Sequence, residues 1–301
     1  MPMRLLPNPR TIRLRLLALC KGALPVLFLA PSLLFFNIIQ TLSLVLWLFS
    51  AQTFRQFNRW MANLWWGWCD LWGEHLYGID VQIHGEQLPI AENAVVFCNH
   101  QSMADILVIF SLARKKHRLG DLKWFVKDIL KYIPGIGWGM LFIDCLFVKR
   151  DWAADRDYIH RIFAKFKSQN IPLWLLIFPE GTRFSTDKLL RSHTFAKERG
   201  LEPTTHVLLP RSKGFHASLD GLRDHITAVY DLTICYPDGV PTLWQWIKGL
   251  VRRVDLFVER FPIAQLPTTE NELNAWLFER YHIKDQLIES YLERRTINDR
   301  Q

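Results

Sequence analysis

An α/β domain with a mixed sheet flanked by helices, preceded by a membrane-anchoring helical segment, is what this sequence predicts. Three observations lead there. From about residue 79 onward, short apolar runs alternate with helical patterns, the rhythm of strands and helices packed in layers. Before that point no acidic residue precedes Asp70, and the stretch from Gly22 through Ala51 carries no charge. Thirteen tryptophans in 301 residues are many for a soluble domain, and the ring suits membrane–water interfaces.

The N-terminal segment comes first. Arg4, Arg10, Arg13, Arg15 and Lys21 precede the uncharged run, and Arg55 and Arg59 follow it. The run is too long for a signal peptide and lacks a small-residue cleavage site. About 20 apolar residues suffice to cross a bilayer. Pro25 and Pro31 interrupt the run, Asn37 and Gln40 sit within it, and basic residues at both ends leave orientation open. A tilted span and a helix broken near Pro31 that dips into one leaflet fit equally. Trp60, Trp65, Trp66, Trp68 and Trp72 follow within one stretch, which reads as a helix lying at headgroup level. Residues 1–78 are thus read as anchor and interfacial helix, and residues 79–301 as the α/β domain with a C-terminal helical extension.

Within that domain, strands are expected at 81–84, 94–98, 124–126, 144–148, 173–178, 207–209, 227–235 and 254–261. Helices are expected at 102–113, 153–166, 215–225 and 270–292, the last opened by the capping box Thr269-x-x-Glu272. The segment 129–148 is apolar enough for a span. Pro134, three glycines and Asp144 favour a buried glycine-rich loop and strand instead.

The formal net charge of +8 suits an anionic partner: nucleic acid, a membrane surface or a phosphorylated substrate. Five scattered cysteines without a C-x-x-C read as reduced thiols, not a disulfide framework or zinc site. There is no H-E-x-x-H, so no metal site is expected.

The stretch FCNHQSMADI ends an apolar run at Asn99-His100 and places Asp105 five residues on. Ser102 and Asp105 have capping-box spacing, which turns the carboxylate back towards His100. A carboxylate on one imidazole nitrogen fixes the tautomer and leaves the other free to accept a proton. A capped helix preceded by an ordinary histidine is the bland alternative. A serine nucleophile is disfavoured, because Ser102 is taken by the cap and no G-x-S-x-G occurs. The second stretch, LWLLIFPEGTRFS, is a buried strand ended by Pro179. It displays Glu180, Gly181, Thr182 and Arg183 where open α/β sheets bind ligands, and arginine there suits a phosphate. FVKRDW ends another strand with Lys149 and Arg150, and LLPRSKGF sets Arg211 and Lys213 after a third.

N-H-x-x-x-x-D at Asn99, His100 and Asp105, followed by F-P-E-G-T-R at Phe178 to Arg183, resembles the glycerolipid acyltransferase family, specifically 1-acylglycerol-3-phosphate acyltransferases. LLPRSKGF and AVYDLTICYPDG are similar to the longer branch that contains lysocardiolipin and lysophosphatidylinositol acyltransferases. The resemblance covers roughly residues 80 to 240, and the last 60 residues match nothing. It implies that His100 is the general base on the 2-hydroxyl of a lysophospholipid, with Asp105 orienting it. The alkoxide would attack the thioester of acyl-CoA or an acyl-carrier protein, a co-substrate, so no cofactor is needed. Glu180 to Arg183 would bind the glycerol phosphate, with Lys149, Arg150 and Arg211 as further basic contacts. Two departures stand out. Cys145 occupies the arginine position of G-x-x-F-I-x-R, which Arg150 matches instead as in the longer branch, and the V-P-x-x-P motif is replaced around Cys235-Tyr236-Pro237.

The function expected is acylation of 1-acylglycerol-3-phosphate to phosphatidic acid, with the catalytic domain on the cytoplasmic face of a membrane (the inner membrane if bacterial). The same chemistry on a lysophosphatidylinositol, lysocardiolipin or lysophosphatidylglycerol type of acceptor is the nearer alternative. A membrane-tethered anionic-ligand-binding protein without catalysis is the alternative of another class. It would spread basic residues and aromatics along an exposed face, whereas here the basic residues follow buried strands. Nucleic acid is therefore not expected as a partner, and the sequence carries no signal for oligomeric state.

Overall fold

The computed structural model describes residues 4–149 and 151–298. A seven-stranded mixed sheet forms its centre, with β1 (Asp80–Gly85), β2 (Ala94–Cys98), β3 (Leu122–Lys127), β4 (Leu146–Val148), β5 (Trp174–Ile177), β6 (Ala228–Cys235) and β7 (Arg253–Pro262). The order is β1-β7-β6-β2-β5-β3-β4. Every neighbouring pair is parallel except β6 and β7. β2, β5 and β6 are buried on both faces, which is why they read as unbroken apolar runs instead of alternating ones.

Ten α-helices are described: α1 (Ile12–Leu42), α2 (Leu44–Phe49), α3 (Ala51–Leu71), α4 (Asp105–Lys115), α5 (Ile136–Phe142), α6 (Trp152–Ser168), α7 (Thr186–Glu198), α8 (Ser212–Leu222), α9 (Leu243–Ile247) and α10 (Glu270–Asn298). Two cores result. On one face Ala62 and Trp66 of α3, Val108 and Leu112 of α4 and Trp246 of α9 cover Val96, Leu176 and Tyr230. On the other, Phe163 and Phe166 of α6, Phe215 and Leu219 of α8, and Leu277 and Tyr281 of α10 cover Val95, Phe97 and Leu175.

Four expectations are corrected. Residues 207–209 form no strand, although all three are buried. Side chains take the place of a ladder partner there: Glu180 accepts the Leu208 N–H, Ser192 the Leu209 N–H and Asp285 the Val207 N–H. The segment 129–148 forms no helix long enough to span a membrane, but it is not a buried loop either. It folds as a 3-10 turn (Asp128–Tyr132), α5 and β4, with Ile129, Tyr132, Ile133, Ile136 and Leu141 exposed. These residues extend the apolar surface of α1, against which α5 packs.

α1 runs unbroken through Pro25 and Pro31. It remains mostly exposed and apolar, and with α2 it is long enough to cross a membrane. The tryptophan cluster does not lie free at an interface. Trp66 stacks on Phe110 and sits beside Trp124 in the core, while Trp68 meets Phe28 and Phe36 of α1 and Trp72 stacks on Phe28. Trp65 donates to Ser32 Oγ of α1 at 3.1 Å, leaving Trp60 as the exposed member of the five. The rings join the apolar helix to the domain because α3 is sandwiched between α1 and α4. The expectations missed α7, whose sequence is mostly polar and whose Ala196 is its buried residue.

Candidate active site

Three adjacent parallel strands, β6, β2 and β5, end at the same edge of the sheet. Each delivers part of the site. β2 ends at Cys98, and Asn99 then locks onto β6: its Nδ2 donates to the Ile234 carbonyl at 3.1 Å, and its Oδ1 accepts the Ile234 N–H at 2.8 Å. This places His100 at the mouth of the sheet edge, with its ring stacked on Phe178 at a 4.0 Å centroid distance.

His100 Nδ1 lies 3.0 Å from Asp105 Oδ2, so the pairing anticipated from the spacing is present. The same oxygen accepts the backbone N–H groups of Gln101 and Ser102, each at 2.8 Å. Its partner Oδ1 accepts from the Tyr236 hydroxyl at 2.7 Å. Asp105 is fully buried, and four donors satisfy its charge. The cap differs from the one anticipated. Asp105 is the first residue of α4 and its carboxylate does reach back to the Ser102 N–H, but Ser102 Oγ accepts the Ala104 N–H. His100 Nε2 makes no hydrogen bond among the described residues and the side chain retains 13% exposure.

The turn after β5 closes the other side. Glu180 Oε1 accepts the His100 N–H at 2.8 Å, and Oε2 accepts the Leu208 N–H at 3.2 Å. The side chain therefore ties three loops together and is buried, not displayed to ligand as expected. Burial pushes its carboxyl up to about 8, opposed by the two backbone donors. Gly181 sits at φ +68°, and a Cβ there would lie 3.2 Å from Arg211 Cδ, so the turn and the Arg211 side chain pack directly. Arg211 also donates its N–H to the Pro179 carbonyl at 2.7 Å. Thr182 Oγ1 accepts from Lys188 Nζ at 2.7 Å, and the same ammonium reaches the Arg183 carbonyl. The Arg183 side chain is exposed, and the next residue, Phe184, donates its N–H to the His100 carbonyl at 2.7 Å.

His100, Asp105, Glu180, Gly181, Thr182, Arg183 and Arg211 thus form one cluster. Lys149 does not join it directly. It follows β4, which β3 separates from β5, and its N–H is held by Asp155 Oδ1. Arg150 lies outside the described residues. Two residues at this edge were not singled out. Tyr236 sits one residue past β6, and burial together with the Asp105 charge drives its phenol well above the usual range, so it stays a donor. Lys127 ends β3 and is exposed. Its signal was the same as that of Lys149, a basic residue closing an apolar strand.

The acyltransferase family model matches residues 80–219, and that for the acyltransferase C-terminus matches residues 246–301. The chain is 30% identical over 292 residues to probable 1-acyl-sn-glycerol-3-phosphate acyltransferase 5 of Arabidopsis thaliana, covering 94% of this chain and 76% of that protein. It is 33% identical over 278 residues to 1-acyl-sn-glycerol-3-phosphate acyltransferase delta of Mus musculus, covering 91% and 73%. The crystal structure of the 1-acyl-sn-glycerophosphate acyltransferase PlsC from Thermotoga maritima aligns at TM-score 0.48 and 18% identity, covering 88% of this chain and 98% of that one. The chain is accordingly an enzyme of the acyl-transferring class. Within that class it belongs to the glycerolipid acyltransferase family, among the 1-acylglycerol-3-phosphate acyltransferases. The similarity reaches beyond the span 80–240 read from motifs and takes in the C-terminal helix.

Proposed function

We propose that the protein transfers an acyl chain from acyl-CoA or acyl-carrier protein to the 2-hydroxyl of 1-acylglycerol-3-phosphate, giving phosphatidic acid. The observation that carries this reading is the imidazole of His100. One nitrogen is fixed by a buried, fully hydrogen-bonded Asp105 and the other faces outward beside a turn that displays Arg183. In this mechanism His100 Nε2 takes the proton of the acceptor 2-hydroxyl as that oxygen attacks the thioester carbonyl. The C–S bond breaks and the thiol departs with a proton. Asp105 holds the tautomer and stabilises the imidazolium formed. Arg183 grips the acceptor phosphate through its planar fork, with Arg211 and Lys127 at the same sheet edge. Glu180 is a positioning residue: it fixes the His100 backbone.

The anchor reading follows from packing. α1 touches the domain from Lys21, whose carbonyl accepts from Tyr77, to Asn37, whose Oδ1 accepts the Gly135 N–H at 2.8 Å. A helix fastened along its side supports an anchor that lies within one leaflet, with both ends on the same face as the catalytic domain; we take that face to be the cytoplasmic one.

The test is to incubate purified protein with labelled acyl-CoA and a panel of lysophospholipids and identify the products. Phosphatidic acid from 1-acylglycerol-3-phosphate is expected. His100→Ala should lower turnover by about 100- to 10,000-fold while membrane binding is kept. Near-normal turnover by that variant would refute the mechanism.

A further inference from the structure

A second polar site lies at the opposite end of the sheet. β4 is three residues long and pairs β3 only at Phe125 to Lys127, so the β3 edge from Leu122 to Trp124 is uncovered on that side. The gap is a cavity of about 500 Å³, walled by the first half of α3, by Asp121 and Lys123, by Ile143 and Asp144, and by the loop before β5. It is at the N-terminal ends of β3 and β5, whereas His100 follows the C-terminal end of β2. The length of β2 alone puts the two roughly 15 Å or more apart.

The charge around this cavity does not balance. Asp121 is shared by Arg59 at 2.7 Å and Arg118 at 2.9 Å. Asp144 is shared by Arg55 at 3.5 Å and Lys165 at 2.6 Å. Lys123 adds a fifth cation to these two carboxylates. It is 4% exposed as a residue, it lines the cavity, and its ammonium makes no hydrogen bond or ion pair among the described residues, with the Phe166 ring 6.0 Å away. Each carboxylate is already shared by two cations, so the Lys123 ammonium meets the cavity without an ion-pair partner among the described residues. An anion in the cavity would supply the missing charge and accept hydrogen bonds from Lys123.

We propose that this cavity binds the phosphate-bearing headgroup of a membrane phospholipid, at a site separate from the catalytic one. The phosphate chemistry follows from the excess of cations. The lipid source follows from what borders the cavity. Its wall begins at Ala51, immediately after α2, where Leu44, Val45, Trp47, Leu48 and Phe49 are 45–84% exposed. Acyl chains would lie along that apolar helix while the phosphate enters between Arg55 and Lys123. A bound lipid would fasten the hairpin of α1 and α3 to the membrane surface at the end remote from catalysis.

The test uses the full chain in a neutral detergent, with short-chain diacyl phosphatidylglycerol and inorganic phosphate as probes and thermal stabilisation as readout. Saturable stabilisation by phosphatidylglycerol is expected. Lys123→Met should weaken its apparent affinity by about tenfold or more, as loss of a charge-assisted hydrogen bond predicts. Gln56→Glu places a negative charge on the exposed wall of the cavity without touching the core, and should weaken binding similarly by competing for the same cations. His100→Ala should bind as wild type. Inorganic phosphate should need at least about a hundredfold higher concentration for the same effect, because it lacks the apolar contact with α2. Wild-type affinity in both cavity variants would overturn the site, and so would loss of binding in His100→Ala. Equal stabilisation by phosphate alone would overturn the lipid assignment.

Discussion

The Tyr236 hydroxyl donates to Asp105 Oδ1 at 2.7 Å, from the far side of the carboxylate that holds His100. It joins β6 to the start of α4 and fixes which oxygen faces the imidazole. Tyr236→Phe keeps the ring and removes this donor. Since hydrogen bonds to charged groups contribute about 1.5–3 kcal/mol, kcat should fall about tenfold or more as the pair loses alignment. KM for both substrates should hardly move. A folding defect would lower the active fraction and so the apparent kcat in the same way; a melting temperature near that of wild type separates the two. Unchanged kcat would mean that the backbone donors of Gln101 and Ser102 suffice to position Asp105.

The buried carboxyl of Glu180 makes a pH prediction. Its folded value of about 8 is above the ordinary 4.5 because burial outweighs the two N–H donors. The folded protein therefore holds a proton that the unfolded chain releases. Its contribution is fully present below pH 4.5 and is lost as pH rises towards 8, with a slope of at most about 1.4 kcal/mol per pH unit. Glu180→Gln abolishes that component but places an amide NH2 against one of the two backbone donors. Thermal unfolding from pH 5 to 8 should show wild type losing stability relative to the variant as pH rises. Parallel curves would show that Glu180 is ionised throughout.

Much of this site was legible from residue spacing, for a physical reason. The His100–Asp105 pair and the turn from Pro179 to Gly181 are local: a strand end, a helix start and a glycine with positive φ are encoded within a few neighbours. Tyr236 was not legible as a partner, because its contact to Asp105 crosses 131 positions of chain and exists only once β6 lies beside β2. Glu180 was read as a ligand contact because its motif is displayed at a strand end. Its side chain turns inward to the backbone of His100 and Leu208. Apolar periodicity gave the strand positions well where burial was two-sided. It failed at Val207 to Leu209, where buried side chains coexist with N–H groups claimed by Glu180, Ser192 and Asp285. The tryptophans were misplaced for a related reason: the composition of α3 shows an amphipathic helix, but not that α1 is what covers it.

Lys284 extends the same argument to the C-terminal helix. It is 1% exposed, and its ammonium donates to Asp231 Oδ1, to the Leu232 carbonyl at 2.6 Å and to Thr233 Oγ1 at 3.2 Å. Arg280 binds the other oxygen of Asp231 at 2.7 Å, so α10 is clamped to the middle of β6. Breaking one member of a buried ion pair typically costs about 3–5 kcal/mol. Lys284→Met should therefore lower the melting temperature substantially, and Asp231→Asn combined with it should lower it further, because Asp231 keeps Arg280 as an ion-pair partner in the single variant. A double variant no less stable than the single would show that Asp231 contributes only through Lys284.

Arg183→Lys tests the phosphate assignment most directly. Arg183 is exposed on the turn whose other members are packed: Gly181 against Arg211, Thr182 against Lys188, and Glu180 against the His100 backbone. The side chain carries no structural duty among the described residues, so the substitution should leave the stability within about 0.5 kcal/mol of wild type. Lysine keeps the charge but exchanges a planar fork for a point contact. Losing one charge-assisted hydrogen bond of about 1.5–3 kcal/mol corresponds to a rise of roughly tenfold to a hundredfold in apparent KM for the phosphate-bearing acceptor. KM for the acyl donor should stay near wild type. Gly181→Ala should give a related defect with a different signature. The added Cβ would press on Arg211 Cδ from a backbone at φ +68°, so stability and acceptor KM should both suffer. If Arg183→Lys instead raised the donor KM, the turn would be reading the phosphates of the donor, and Arg211 and Lys127 would become the remaining candidates for the acceptor phosphate.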